Sequence, residues 1–337
     1  MLITCDALRP DHLSCYGYER KTSPVIDSLA ESGLRYSQAI AQTTWTIPAM
    51  YSILTSTYPH SHGMITKSSL YTKLNPSLPL LSKILKKAGY RTGLFSNHAW
   101  FSRLKKLGFQ KYFILGFPTG DEYDTHIKRG QWVKKDATEK ATKEIMEWAV
   151  KAHSKPFFLW VHYLSPHYPF IEDLPENKLF INDKFYNKYD RVPVERIFQW
   201  ARLGDNTDPD FYIALYDADI KYIDAKIGMV LQSLKNNNMY SNTIVVLSAD
   251  HGESLGEKKF FFGHRDVPYD CYVRIPLIIS WPGVLDKKEI PYQVQQIDIS
   301  PTLLTLAGIG IPTAMQEHDR KDLESLRETL KSLGYME

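Results

Sequence analysis

Short apolar runs rich in branched and aromatic residues recur at Leu2–Cys5, Thr92–Ser96, Phe157–Tyr163, Thr243–Ala249 and Pro276–Ser280. Runs of that length, without polar alternation, mark strands buried on both faces of a parallel sheet. Stretches of helical period lie between them. Ser23–Ser32 opens on Thr-Ser-Pro, with Pro24 suited to a first helical turn, and Leu80–Ala88 stops at Gly89, a good C-cap. Ala137–His153 and Phe211–Lys235 are long and amphipathic, and Asp298–Ala307 ends at Gly308. Strands alternating with helices predict an α/β fold, an open and mostly parallel sheet sandwiched by helices. Two stretches keep no clear period: Phe113–Lys135, charged and turn-rich, and Ile171–Pro209, a mixture of acids, bases and aromatics. Such segments read either as lids over a site or as surface decoration. The tail Gln316–Glu337 reads as one exposed helix, which divides the chain into a domain over 1–312 and a helical tail over 313–337.

Composition narrows the class without choosing a function. At 43% hydrophobic and 23% charged residues the chain is ordinary globular material with ample core. A formal net charge of +3 gives no electrostatic case for nucleic acid or an anionic membrane. The 21 Tyr and 7 Trp are spread out rather than gathered into a stacking patch. Cys5, Cys15 and Cys271 show no paired spacing, which fits a reducing compartment. No uncharged apolar run approaches the roughly 20 residues of a membrane helix, and no signal peptide is visible, so a cytoplasmic location is expected.

Chemistry enters at the strand ends. Asp6 follows directly on Leu2–Cys5, and Asp250 and His251 follow Thr243–Ala249. Ligand crevices of open parallel sheets lie at the carboxyl ends of the strands, where acids from two strands can converge. Taken singly, Asp6 reads as a cap and Asp250 as the opening of a turn before Gly252. Together, in Asp-x-Leu-Arg-x-Asp and Asp-His-Gly contexts, they read as ligands of one divalent cation such as Ca²⁺, Mn²⁺ or Zn²⁺. Thr46 precedes Ile47-Pro48, and Pro48 fits the first turn of a helix running to about Thr55. A helix N-terminus there favours an anion, and a hydroxyl at that point is either a plain N-cap or a nucleophile activated by the cation.

These residues, in this order, resemble the sulfatase family of the alkaline phosphatase superfamily. The likeness runs from Asp6–Leu13, Tyr16–Tyr18 and Thr22–Pro24 through Thr46–Thr55, Tyr58-Pro59 and His62-Gly63. It continues in Gly89–Thr92, Pro156–His167, Leu215–Asp224, Ser248–Glu253, Gly263-His264, Arg274–Leu277 and Asp298–Gly308. The resemblance implies Asp6, Asp250 and His251 as metal ligands, with Thr46 as nucleophile and fourth ligand. It implies His264 and His167 as contacts to the anionic group or proton donors, and it puts Asn97, His98 and Arg265 near substrate-binding positions. His60 and His62 read as structural.

The departures from the family pattern are informative too. The residue usually oxidised to formylglycine is Cys or Ser; the β-methyl of Thr46 forbids an aldehyde, so no formylglycine is expected. Met50 stands where an arginine is usual, Ala7 where a second aspartate is usual, and Asn97 where a lysine is usual. No lysine follows His264 before Tyr269, though Arg265 stands beside it. A pocket so depleted of positive charge suits a monoanionic diester or phosphonate monoester, or a sulfate ester bound weakly, better than a dianion. The smaller C-terminal subdomain of the family is reduced to the final helix, which opens the site or calls for a second copy of the chain as a homo-oligomeric wall. The expected activity is hydrolysis of a small anionic ester. A phospho-group transferase using the same Thr46 intermediate, and a binding protein that has lost turnover, are the alternatives.

Overall fold

The computed structural model describes residues 1–65, 74–98, 107–115, 127–151, 155–186, 188–257, 260–264 and 267–315. Eight strands form one sheet: β1 (Leu2–Cys5), β2 (Gly33–Ile40), β3 (Arg91–Ser96), β4 (Lys111–Ile114), β5 (Phe157–Tyr163), β6 (Val245–Ala249), β7 (Arg274–Ser280) and β8 (Lys288–Gln295). Their spatial order is β4-β3-β5-β1-β6-β7-β2-β8. The run β4-β3-β5-β1-β6 is parallel throughout, and β7 alone runs against its neighbours. The expected α/β architecture is therefore present. Helices α1 (Pro24–Ala30), α2 (Thr46–Thr55), α3 (Pro59–His62), α4 (Leu81–Lys87), α5 (Ile127–Val150), α6 (Asn177–Ile181), α7 (Pro209–Asn236), α8 (Asp270–Val273) and α9 (Ile299–Leu306) connect and cover it.

Three strands escape the apolar-run reading, and each has a physical reason. β4 and β8 are the sheet edges, where one side faces water and long buried runs are not needed. β8 is mostly exposed and contains Pro291, which has no N–H to donate. Its pairing with β2 skips a residue between Ile290 and Gln293, so the bulge takes in the proline. β2 alternates polar and apolar positions between these two unlike partners. The stretch Phe113–Lys135 is not irregular throughout, because β4 occupies its start and α5 begins at Ile127, ten residues before the expected Ala137. Within Ile171–Pro209 the chain forms α6 and two single 3₁₀ turns. The expected tail helix, Gln316–Glu337, lies outside the described residues.

Parallel order has one consequence for chemistry. Register pairs Cys5 with both Tyr163 and Ala249, and Ser96 with His162, so β3, β5, β1 and β6 end along one edge. The segments that follow β3, β1 and β6 carry Asn97 and His98, Asp6, and Asp250 and His251 to that edge. Among the described residues no helix is long and apolar enough to cross a membrane.

Candidate active site

Asp6 is wholly buried, and its amide donates to the Tyr163 carbonyl at 2.8 Å, continuing the β1–β5 ladder by one step. The next residue, Ala7, turns into the left-handed region at φ 60°, and its amide donates to Asp250 Oδ1 at 3.0 Å. The His251 amide donates to the same oxygen at 2.9 Å. Asp250 Oδ1 is thus held by two backbone donors, which orients Oδ2 the other way. Gln296 clamps the strand end from behind, donating to the Ala249 and Asp250 carbonyls at 2.7 and 3.0 Å. Gly252 is required by space, since a Cβ there would lie 2.2 Å from the Cys271 carbonyl oxygen.

His251 Nδ1 lies 2.8 Å from the Gly252 carbonyl. A carbonyl can only accept, so Nδ1 carries a proton, and in the neutral ring Nε2 presents the lone pair. That nitrogen stands 3.3 Å from Asp250 Oδ2, 3.6 Å from Asp6 Oδ1 and 3.3 Å from Thr46 Oγ1. Thr46 Oγ1 is 3.5 Å from Asp6 Oδ2. Ligands bound to one cation at about 2.0–2.4 Å sit roughly 3–3.6 Å from one another. Asp6 Oδ1 and Asp250 Oδ2 are buried and accept no hydrogen bond among the described residues. Two orphaned carboxylate oxygens in a dry interior are expensive without a counter-charge, and a carbonyl-braced imidazole is the usual posture of a metal-ligating His. The donor set fits a divalent cation.

Thr46 opens α2 as expected, and the helix spans Thr46–Thr55 with all ten side chains buried. Trp45 at the N-cap makes no side-chain cap, so the helix start has no capping group of its own. His264 is buried with its ring 4.2 Å from that of His251 and 4.5 Å from Trp45. His167 stands 5.7 Å from His264, ring to ring, and its amide donates to the Asp6 carbonyl at 3.2 Å. His167 Nδ1 lies 2.6 Å from the Tyr168 carbonyl, which fixes its proton on that nitrogen.

Electrostatics follow from burial. Burial, reinforced by the charge of Asp250, pushes the Asp6 carboxyl well above the usual range. Burial also pushes on Asp250, but the His251 ring beside it and the two amides on Oδ1 outweigh it and hold this group low. The two acids therefore share one proton when no cation neutralises them. Burial carries His167 and His98 down to about 3 and His162 down to about 4, so these rings stay neutral near pH 7.

The structure brings Asp6, Asp250, His251, Thr46, His167 and His264 together. His98 joins them from β3, its Nε2 3.5 Å from Asp6 Oδ2. Asn97 serves as a brace: its amide donates to Thr138 Oγ1 and accepts from the Leu164 amide, both at 2.7 Å. Arg265 lies outside the described residues. His62 is structural, bound to Ser52 Oγ and to the Met64 amide at 3.1 Å each. Two features escape sequence reasoning. His162, inside β5, has its ligating atom within 4.8 Å of those of Asp6 and Asp250; its only signal was a titratable residue in an otherwise apolar run. Lys134 of α5, fully buried, pairs with Asp219 and donates to the His167 and Pro169 carbonyls at 2.8 and 3.0 Å, pinning the loop that carries His167. It lay in a stretch without period, and nothing pointed to it.

A parallel sheet whose edge gathers acids, imidazoles and a helix-borne hydroxyl has the groups that an ester hydrolase uses. A sequence profile described as Sulfatase matches residues 1–309. The chain belongs to the sulfatase family. Mouse (Mus musculus) iduronate 2-sulfatase is 25% identical over 385 aligned residues, covering 93% of this chain and 69% of that protein. A Bacteroides thetaiotaomicron N-acetylglucosamine-6-O-sulfatase is 23% identical, covering 90% and 66%. Clostridium perfringens arylsulfatase is 26% identical, covering 96% and 77%. Among solved structures, a phosphonate monoester hydrolase of Silicibacter pomeroyi shares the fold at TM-score 0.74 and 22% identity, covering 96% of this chain and 76% of that one. Another from Agrobacterium radiobacter does so at TM-score 0.70 and 20% identity, covering 90% and 72%.

Proposed function

We propose that this protein cleaves a small anionic sulfate, phosphate or phosphonate ester with Thr46 Oγ1 as the nucleophile. One observation carries the reading: the hydroxyl stands at the uncapped start of α2, 3.3 Å from His251 Nε2 and 3.5 Å from Asp6 Oδ2. Asp6, Asp250, His251 and Thr46 would hold a divalent cation, which would lower the pKa of an oxygen bound to it, as it does for water. Thr46 Oγ1 releases its proton to solvent and bonds to the sulfur or phosphorus, the ester oxygen leaves with the bonding pair, and His264 gives that oxygen a proton. Amides of the first turn of α2 stabilise the non-bridging oxygens. Water then attacks the Thr46 adduct and restores the hydroxyl, with the neutral His167 ring as hydrogen-bond acceptor. His98 is assigned to the substrate side of Asp6.

Charge favours a monoanion. Among the described residues, the buried cation that acts on Asp6, Lys134, is paired with Asp219 and adds no net charge to the pocket. Relatives named as sulfatases and fold neighbours named as phosphonate monoester hydrolases bracket the choice. The test is a panel of p-nitrophenyl sulfate, phosphate, phosphodiester and phosphonate, with and without an added alcohol acceptor. Hydrolysis of a monoanion with the highest kcat/KM is expected, and Thr46→Ala loses at least about 10³-fold in kcat while keeping its cation. An undiminished rate in that variant removes Thr46 from the chemistry. Product carrying the alcohol turns the hydrolase into a transferase.

A further inference from the structure

We propose that His162 is a ligand of the cation site, and that it makes the site select a first-row transition ion over Ca²⁺. The inference rests on the reading that the cluster holds a divalent cation, and it goes beyond it in naming a ligand from β5 and the class of ion. His162 Nε2 lies 3.7 Å from Asp6 Oδ2, and its ligating atom falls within 4.8 Å of those of Asp6 and Asp250. The residue is wholly buried, one strand over from Asp6, at the register position opposite Thr4.

Thr4 supplies the argument for the lone pair. Its Oγ1 accepts from Trp160 Nε1 at 2.9 Å, faces His162 Nδ1 at 2.9 Å and has the Val161 carbonyl at 3.5 Å. In the tautomer that protonates Nδ1, the hydroxyl accepts from Trp160 and from His162 Nδ1–H and turns its own proton toward the Val161 carbonyl. His162 Nε2 is then unprotonated and turned to the carboxylates, the posture that a second hydrogen bond gives a metal-binding imidazole. His251 reaches the same posture through the Gly252 carbonyl.

Asp6, His162 and Asp250 bring ligating atoms within 4.8 Å of one another, and with Thr46 and His251 the proposed set is two carboxylates, a hydroxyl and two imidazoles. Ca²⁺ takes six to eight oxygens and gains little from nitrogen, whereas imidazole suits Zn²⁺ and its first-row neighbours. At the position where the family places a second aspartate, Ala7 offers no oxygen to redress the balance.

The experiment is cation binding to the chelator-stripped full chain, measured with Zn²⁺, Mn²⁺ and Ca²⁺ alone, together with the visible absorption of the Co²⁺ form. The wild type is expected to take one Zn²⁺ at least about 100-fold more tightly than Ca²⁺. His162→Asn should lose about 10–100-fold or more for Zn²⁺, keep its Ca²⁺ affinity and shift the Co²⁺ bands as a nitrogen is lost. Thr4→Val, which leaves the ligand in place and removes its orienting partner, should lose Zn²⁺ affinity in the same direction; it decides the matter if His162→Asn does not fold. An unaltered Co²⁺ spectrum and Zn²⁺ affinity in a folded His162→Asn variant overturns the assignment, as does Ca²⁺ binding as tight as Zn²⁺. A wild type that binds none of these ions overturns this inference and the reading beneath it, whereas a site that binds normally without His162 leaves that reading standing.

Discussion

At the scale of single residues, the site depends on which oxygen of each carboxylate is already engaged. Asp250 Oδ1 is taken by the Ala7 and His251 amides, so Oδ2 has only the cluster to face. Asp250→Ala removes that oxygen and the one acceptor that both amides share, and it is expected to abolish cation uptake and ester cleavage together; equilibrium dialysis alongside a turnover assay checks it, and normal turnover would dispose of the mechanism. Gly252→Ala tests the backbone instead. A methyl 2.2 Å from the Cys271 carbonyl forces the Asp-His-Gly turn to move, with an expected loss of about 1–3 kcal/mol in chemical denaturation and weaker cation binding through a displaced His251. Unchanged stability and affinity would show that the turn has slack. Asp6, Asp250, His251 and Thr46 were legible from the chain because each sits at an element end, where sequence marks position. His162 was not, because a histidine in the middle of an apolar strand looks like a core residue until the neighbouring strand is known. Lys134 depends on a partner 85 positions away, Asp219, and no local pattern encodes that pairing.

At the scale of elements, strands and helices buried on all sides were readable, and those whose identity depends on a neighbour were not. β5 and α2 coincide with their apolar and capping signals, whereas β8 is a strand only because β2 lies beside it. The start of α1 shows the same dependence across space. Its first turn has no cap of its own; Asp224 of α7 supplies one, its two oxygens accepting from the Val25 and Ile26 amides at 3.0 and 2.8 Å. Burial raises the Asp224 carboxyl from its ordinary 3.8 to about 6 despite those donors. The folded state therefore holds this proton more tightly than the unfolded chain. The resulting stability is complete below about pH 4 and is lost as pH rises through about 6, a change of up to about 3 kcal/mol. Asp224→Asn carries no titrating group, so its urea midpoint should lack that share of the decline between those limits. A variant whose pH profile parallels the wild type would show that Asp224 titrates as an ordinary exposed acid.

At the scale of the whole molecule, the fold places two wholly buried carboxylates at the centre of the sheet, with Lys134 already committed to Asp219. Such an arrangement is stable in one of two ways: the pair keeps a proton, or a cation replaces it. Because the Asp6 carboxyl is pushed up by burial and by Asp250, the cation-free protein holds the proton well past the ordinary carboxylate range and loses stability as pH rises and strips it. The cation-loaded protein has no such proton to lose. A ligand that binds only the folded state at 100 times its dissociation constant adds about 2.7 kcal/mol, which for a chain of this size is several degrees in melting temperature. The gap in melting temperature between protein with excess Mn²⁺ or Zn²⁺ and protein in EDTA should therefore widen from mildly acidic to neutral pH, and cation uptake should release protons in buffer-dependent calorimetry. In Asp6→Asn the proton release should vanish and the gap should lose its pH dependence, because only one carboxyl of the Asp6–Asp250 pair remains. A gap that is constant with pH in the wild type, with no proton released, would mean that the two acids do not share one charge centre, and the catalytic reading built on their convergence would go with it.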